Sequence, residues 1–176
     1  MTTKIFLNIL LAAISLSACD SCEDEIPTEL PAETQTGANT FGCYVNELLF
    51  IPKLHDWKFT TFYDIEAIYS RNYNYLSIES YSPGLGSIEI KLNNPTEYNP
   101  TLINQIYFRS YTDLLNCVSY QSYNTGNITL TKFDTVNFIV SGTFESNINC
   151  AFYKKEFLPD SISITNGRFD IKLEIY

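Results

Sequence analysis

Histidine, tryptophan and methionine occur once each in this sequence, and only 11 basic residues stand against 20 acidic ones. The basic residues are scattered, with Lys154–Lys155 as the one adjacent pair, so nothing provides the basic patch that neutralises a phosphate backbone. One histidine among dispersed carboxylates gives no metal-ligand spacing. No apolar run reaches the roughly 20 residues that a membrane-spanning helix needs. These absences argue against a nucleic-acid binder, a metal site and a transmembrane helix.

The N-terminus has the pattern of an export signal. Lys4 precedes an almost wholly apolar run, Ile5–Leu16, which is too short to span a bilayer. Leu16-Ser17-Ala18-Cys19 then resembles the lipobox of bacterial lipoproteins, whose cysteine becomes the acylated N-terminus. The resemblance implies a signal peptide at residues 1–18 and a membrane anchor of two or three acyl chains on Cys19. The alternative is an ordinary secretory signal that is cut nearby and leaves Cys19 as a thiol.

An acidic segment follows the lipobox. Residues 20–25, DSCEDE, resemble the short signal that sends many Bacteroidetes lipoproteins to the outer face of the outer membrane. The alternatives are a solvated spacer or, because Asp20 directly follows the cysteine, retention at the inner membrane. Residues 20–38 hold six acids and two prolines without apolar periodicity. We therefore predict a disordered, lipidated acidic linker at residues 19–38 and a lipid-anchored, outward-facing location on the outer membrane.

Residues 39–176 are predicted to form one all-β domain. This part is rich in Tyr, Phe, Ile and Thr, and its apolar and polar residues alternate repeatedly. One predicted hairpin joins Leu76–Tyr81 to Ile88–Leu92 through a glycine loop. Another joins Ile162–Thr165 to the segment that begins at Phe169, through a type I′ turn at Asn166-Gly167. The spacing of the strands predicts a single antiparallel β-sandwich or partly open barrel of about 8 to 10 strands.

Three further segments, Val118–Tyr123, Ile128–Phe133 and Val136–Phe144, are predicted to form a meander with turns at Asn124-Thr125-Gly126 and Asp134-Thr135. Gly142 inside the third segment indicates a bulge or a close backbone approach. Arg168 and Asp170 alternate with apolar residues of the last strand, and we expect them to pair on the solvent face.

Three motifs at the start, middle and end of the domain look like an uncharacterised family of Bacteroidetes lipoproteins. They are NTFGCYVN at residues 39–46, IVSGTF at residues 139–144 and ITNGRFD at residues 164–170. The resemblance implies a small β domain on the cell envelope. It assigns no activity, and it offers no catalytic residues to carry over.

Catalysis has little support in the sequence. His55, in a predicted loop, would have to be the base of any Ser-His or Cys-His mechanism, and its neighbour Asp56 is adjacent in sequence rather than placed as in a triad. Carboxylate pairs such as Asp64 and Glu66 leave a small glycan-active hydrolase as an alternative function. We expect no enzymatic activity, no metal and no cofactor.

A binding surface is the favoured hypothesis. The chain has 13 tyrosines, and buried tyrosines need partners for their hydroxyls. If strand geometry holds throughout, one face that stacks on a glycan or seats a protein partner is lined by Tyr69, Arg71, Tyr73, Tyr75 and Tyr81. The alternative is a loop around Arg71-Asn72 whose rings cover the sheet. The expected function is therefore a surface binding or envelope-interaction module, with a purely structural envelope component as a third interpretation.

The remaining cysteines would face an oxidising compartment, where pairing is the default. Cys22 lies in the predicted linker and is expected to pair with nothing in the domain. At most one bridge can form among the three domain cysteines, Cys43, Cys117 and Cys150, and the sequence leaves their connectivity open.

The anchor assignment predicts that Cys19→Ala abolishes lipid attachment, because the thiol of that residue is the acylation point. Metabolic labelling with an alkyne fatty acid measures this, and Cys22→Ala is the matched control that should keep its label. Label retained by Cys19→Ala and lost by Cys22→Ala would move the anchor to the second cysteine.

Overall fold

The computed structural model describes residues 27–52, 65–83, 85–110, 117–154 and 161–176. These residues form eleven strands and no helix, which confirms the all-β fold. The strands are β1 (Thr40–Val45), β2 (Leu48–Phe50), β3 (Ile65–Ser70), β4 (Tyr75–Ser82), β5 (Gly86–Asn93), β6 (Thr101–Leu102), β7 (Gln105–Ser110), β8 (Cys117–Tyr123), β9 (Asn127–Asp134), β10 (Ile139–Lys154) and β11 (Ser161–Ile175). None of the described residues belongs to a helix long and apolar enough to cross a bilayer. The export signal, Cys19, Cys22, His55 and Asp64 lie outside the described residues.

The strands form one sheet that closes on itself. Their order is β2-β1-β11-β3-β4-β5-β7-β8-β10-β9-β6, and β10 also pairs with β11. Neighbouring strands are antiparallel, except that β3 runs parallel to the end of β11. The fold is thus the predicted single domain of the sandwich or partly open barrel type, with eleven described strands.

Two walls can be distinguished around one core. The front wall consists of β3, β4, β5, β7 and β8, and the back wall of β2, β1, β11, β10, β9 and β6. The rings of Phe50 in β2 and Phe108 in β7 meet edge to face with centroids 6.4 Å apart, so the inner faces of the two walls are in contact. On the front wall Leu76 and Ile78 are fully buried, as are the inward residues of β5, which confirms the predicted hairpin and its alternation.

Asn166-Gly167 does not turn the chain. β11 continues through it and pairs with β10 along one edge and with β1 along the other. The register shifts here on both edges, and Asn166 has a φ of 52°, so the extra residue forms a β-bulge. The predicted hairpin is wrong because an Asn in the left-handed region suits a bulge as well as a type I′ turn.

The predicted meander is wrong at its first turn. β8 and β9 pair with successive parts of β10, Tyr120 opposite Cys150 and Asn127 opposite Glu145, so the chain bends at residues 124–126 instead of reversing. The hairpin of β9 and β10 is confirmed. The bulge or close backbone approach expected at Gly142 is also confirmed. This residue lies at a register shift, where an added Cβ would be 2.3 Å from the Thr129 carbonyl oxygen.

Residues 30–38, here called the strap, lie against the outer surface of the back wall. At Gly42 of β1 an added Cβ would be 2.7 Å from Pro31 Cδ, so the strap passes directly over the strand. Lys132 Nζ donates a hydrogen bond of 3.2 Å to the Gln35 carbonyl oxygen. Within the predicted linker, residues 30–38 are therefore ordered against the domain.

Asp170 holds the strap in place. Its side chain points away from the core, as the alternation predicts, but the strap covers it and leaves it 1% exposed. The carboxylate accepts hydrogen bonds from Thr34 Oγ1 (2.6 Å), Thr36 N (2.9 Å), Gly37 N (2.8 Å), Ala38 N (3.2 Å) and Ser141 Oγ (2.7 Å). Burial disfavours the charge, but these donors outweigh it and hold the pKa of Asp170 well below its ordinary value near 3.8. The predicted solvent-exposed pair of Arg168 and Asp170 is wrong for this reason.

Asp170→Asn is expected to lower the free energy of unfolding by about 2 to 4 kcal/mol, because the new amide group would face strap donors. A depressed pKa stabilises the fold above the ordinary value and loses that effect as the pH falls below it, so the loss should be constant near neutral pH and shrink in acid. Urea unfolding at several pH values measures this. Glu47→Gln, at an exposed carboxylate in the turn between β1 and β2, is the control and should change stability little. An Asp170→Asn protein as stable as the wild type would show that Asp170 does not hold the strap in place.

Candidate ligand-binding surface

The five residues of the predicted tyrosine face are separated in the structure. The chain turns at residues 71–74, between β3 and β4, so the odd positions on the two sides of the turn face opposite ways. Tyr69 belongs to the core, with its ring 4.9 Å from that of Phe133 and its hydroxyl donating to Asn74 Oδ1 at 2.8 Å. One continuous face is therefore wrong. The turn around Arg71-Asn72 agrees with the alternative, but the Tyr73 ring does not cover the sheet.

The other four residues occupy two places. Arg71 and Tyr73 are exposed in the turn, Tyr73 with 84% of its surface accessible. Tyr75 and Tyr81 are half-buried on the outer side of β4. The two residues are six positions apart along the strand, which corresponds to about 20 Å rather than the close cluster that a shared platform needs. Of the five predicted residues, only Tyr75 and Tyr81 lie on the outer surface of the front wall.

That outer surface carries a row of polar side chains in direct cross-strand register. Glu66 lies opposite Glu79, Glu79 opposite Glu89, Glu89 opposite Tyr107, and Tyr107 opposite Gln121. We call this row the front face, together with its outward neighbours Tyr75, Ser77, Tyr81, Lys91, Gln105, Arg109 and Tyr123. The alternation in each strand indicates that these residues point outward, but it does not indicate that they meet.

The three carboxylates of the row repel one another. Glutamates opposite one another on neighbouring strands destabilise a sheet, and Lys91 offsets only part of this through an ion pair of 2.6 Å with Glu89. Partial burial, together with the charges of Glu89 and Glu66, raises the pKa of Glu79 above its ordinary value near 4.5. Partial burial and the charge of Glu174 raise the pKa of Glu66. The row therefore concentrates negative charge at a cost in stability.

The other half of the row is aromatic and amide in character. Hydrogen bonding with Ser119 and with Arg109 lowers the pKa of Tyr107, and the Arg109 guanidinium carbon lies 5.7 Å from the centre of that ring. Gln121 Nε2 donates a hydrogen bond of 2.7 Å to the hydroxyl of Tyr123, which is 64% exposed. Rings, an amide and a guanidinium thus adjoin the carboxylates on one open surface.

The described cysteines differ in state. Cys43 is free and fully buried in the core, and burial raises the pKa of its thiol far above the ordinary value. Cys150 is disulfide-bonded. The side chains of Cys22 and Cys117 lie outside the described part of the chain. No group of three or more metal-ligating side chains occurs among the residues that the structure describes.

Comparisons with known proteins add no family: a scan against protein-family models, a search of curated proteins and a search of solved structures each found no match. The function of this chain must therefore be inferred from its own residues.

The carboxylate row predicts that Glu79→Gln stabilises the domain by about 0.2 to 1 kcal/mol near neutral pH, because it removes charge repulsion on both sides. A raised pKa means that ionisation destabilises the fold as the pH rises, so the gain should vanish in acid, where Glu79 is protonated. Thermal or urea unfolding against pH measures this. Glu47→Gln, an exposed control away from the row, should show no such gain. Destabilisation by Glu79→Gln would mean that the carboxylate has a favourable partner.

Proposed function

We propose that this protein is a lipid-anchored binding module on the outer face of the bacterial outer membrane, and that a glycan chain is bound along its front face. The lipobox and the acidic segment support the location. The observation that carries the function is the Glu79-Glu89-Tyr107-Gln121 row, because it combines hydrogen-bonding groups and an aromatic ring in direct register.

The chemistry of the row matches the two sides of a sugar. Carboxylates and amides accept hydrogen bonds from hydroxyl groups, and amide and guanidinium groups donate to them. Tyrosine rings pack against the apolar C–H faces of a sugar while their hydroxyls remain in water. Because the row crosses five strands, it extends about 19 Å at the usual spacing between strands, which is long enough for several sugar units.

The path of the strap supports outward display of this face. The strap lies on the back wall, and Cys19 stands eleven positions before Leu30, so the chain between them can span at most about 36 to 40 Å. An anchor attached there brings the back wall toward the membrane. The front face, on the opposite wall, then points away from the lipid.

One observation favours the alternative of a small glycan-active hydrolase. Burial and neighbouring carboxylates raise the pKa of Glu79, and it lies opposite Glu89, which is ion-paired with Lys91, so the two carboxyl groups have different surroundings, as an acid and a base need. The pair, however, sits on an open surface where water is not excluded. The hydrolase would be favoured if the protein releases reducing ends from a bound glycan and Glu79→Gln abolishes that release.

The test is a glycan array probed with the detergent-solubilised mature protein, followed by titration of the glycans that bind. Tyr107→Ala and Tyr123→Ala should each weaken binding by about 1 to 3 kcal/mol, as aromatic contact residues do. Tyr73→Ala, which removes a more exposed ring in the turn between β3 and β4, is the control and should bind normally. Unchanged binding by both front-face variants, or capture of proteins but no glycan, would contradict the proposal.

A further inference from the structure

A second surface of different chemistry lies on the back wall. A cleft of about 250 Å³ opens there between the strap and the outer side of the sheet. Thr129 of β9, Thr143 of β10 and Arg168 of β11 lie in register across it, and Glu33 of the strap borders it. The bulge at Asn166 places that amide at the same cleft. The cleft is separate from the front face, so a ligand bound in it is independent of the proposed function.

Arg168 is poorly satisfied for a side chain with only 26% of its surface exposed. Its Nη1 donates one long hydrogen bond of 3.3 Å to the Pro31 carbonyl oxygen. Nη1 is also 3.8 Å from Glu33 Oε1, which is beyond hydrogen-bond distance. Its Nε is buried and has no hydrogen-bond partner among the described residues. A guanidinium has five N–H donors, so most of the hydrogen-bonding capacity of Arg168 is unused.

Four of the other polar side chains around the cleft are also unpaired, and the exposed carboxylate of Glu145 completes its polar lining. Within the part of the chain that the structure describes, no side-chain hydrogen bond is made by Asn127, Thr129, Thr143 or Asn166. Two hydroxyls and two amides therefore border the same small space as the guanidinium. A buried polar atom without a partner, such as Arg168 Nε, is uncommon in native proteins. Beside it lie the half-buried hydroxyls of Thr129 and Thr143 and two exposed amides, and this combination indicates a polar ligand.

We propose that this cleft binds a single acidic sugar, whose carboxylate pairs with Arg168 and whose hydroxyls contact the threonine and asparagine side chains. A guanidinium fits a carboxylate with two parallel hydrogen bonds, which is the contact that Arg168 lacks. The size of the cleft suits one sugar ring, in contrast to the long front face.

Glu33 has a specific part in this arrangement. Its carboxylate is 61% exposed on the strap and too far from Arg168 to hydrogen bond, so it partly neutralises the guanidinium without satisfying it. A ligand carboxylate competes with Glu33 for the same charge. Removal of the Glu33 charge should therefore strengthen the binding of an acidic ligand, whereas a neutral sugar that used Glu33 as an acceptor would bind more weakly.

The experiment is calorimetric titration of the full mature protein with glucuronate, with glucose and with a uronic-acid oligomer, at neutral pH and low salt. Glucuronate should bind and glucose should not. Arg168→Gln should weaken glucuronate binding by at least about tenfold, and Glu33→Gln should strengthen it by about two- to fivefold. Lys172→Gln, which removes an exposed cation from the same strand, is the matched control and should bind normally. Tyr107→Ala, on the front face, should also leave the affinity for glucuronate unchanged.

The outcomes separate the possibilities. Equal binding of glucose and glucuronate, or weaker glucuronate binding by Glu33→Gln, would overturn the acidic-ligand proposal. Loss of binding in Tyr107→Ala would assign glucuronate to the front face and overturn the cleft. Because Arg168→Gln could disturb the strap, its melting temperature is measured, and Glu33→Gln decides the matter if that variant is unstable. If the uronic-acid oligomer binds more tightly than glucuronate and depends on Arg168 in the same way, the ligand is a terminal residue of a polymer. If the oligomer and glucuronate bind with equal affinity, the ligand is a free sugar acid. Absence of binding by both would overturn the proposal.

Discussion

The pairing of β10 with β11 is the constraint on which the rest of the structure depends. Ten residue pairs, from Ile139–Lys172 to Asn149–Ser161, join two strands that are each about three times the usual length. Each strand is long enough to take two successive neighbours along its other edge. β10 pairs with β9 and then β8, and β11 with β1 and then β3. The β10–β11 pair, here called the ribbon, therefore belongs to both walls, and the sheet closes without any further strand to join the walls.

A second consequence of the ribbon is the burial of a charge outside the core. Asp170 and Ser141 are paired on the outer side of β11 and β10, where a carboxylate would ordinarily face water. The strap supplies backbone N–H groups in place of water, so dipoles stabilise the ion, and none of the described residues forms an ion pair with it. The strap has little apolar surface to bury, and its position is consequently set by the donors that Asp170 requires. This is why a polar, proline-containing segment has an ordered place on the domain.

Much of the fold could be predicted from alternation, and its failures have definite physical causes. Inward and outward positions were predictable in β4 and β5, and even for Asp170, whose side chain does point outward. The covering of Asp170 was not predictable, because contacts over more than 130 residues leave no local pattern. Asn166-Gly167 misleads because positive φ serves bulges and turns alike. The tyrosine face is wrong because odd-numbered residues before and after the turn at residues 71–74 point to opposite sides of the sheet. The carboxylate row was missed because the register between strands depends on the tertiary structure.

Each of the two outer surfaces has polar groups that are poorly balanced by their neighbours, carboxylates on the front face and a guanidinium in the cleft. On the front face, Glu66, Glu79 and Glu89 place more charge together than one Lys91 can balance. In the cleft, Arg168 has more donors than its surroundings accept. Neither departure is needed to close the sheet, because the core beneath both walls is continuous and apolar. Sequences that fold well tend to break local rules where a ligand later satisfies them. Crowded carboxylates on one wall and an unsatisfied guanidinium on the other therefore mark two separate candidate sites rather than one extended site.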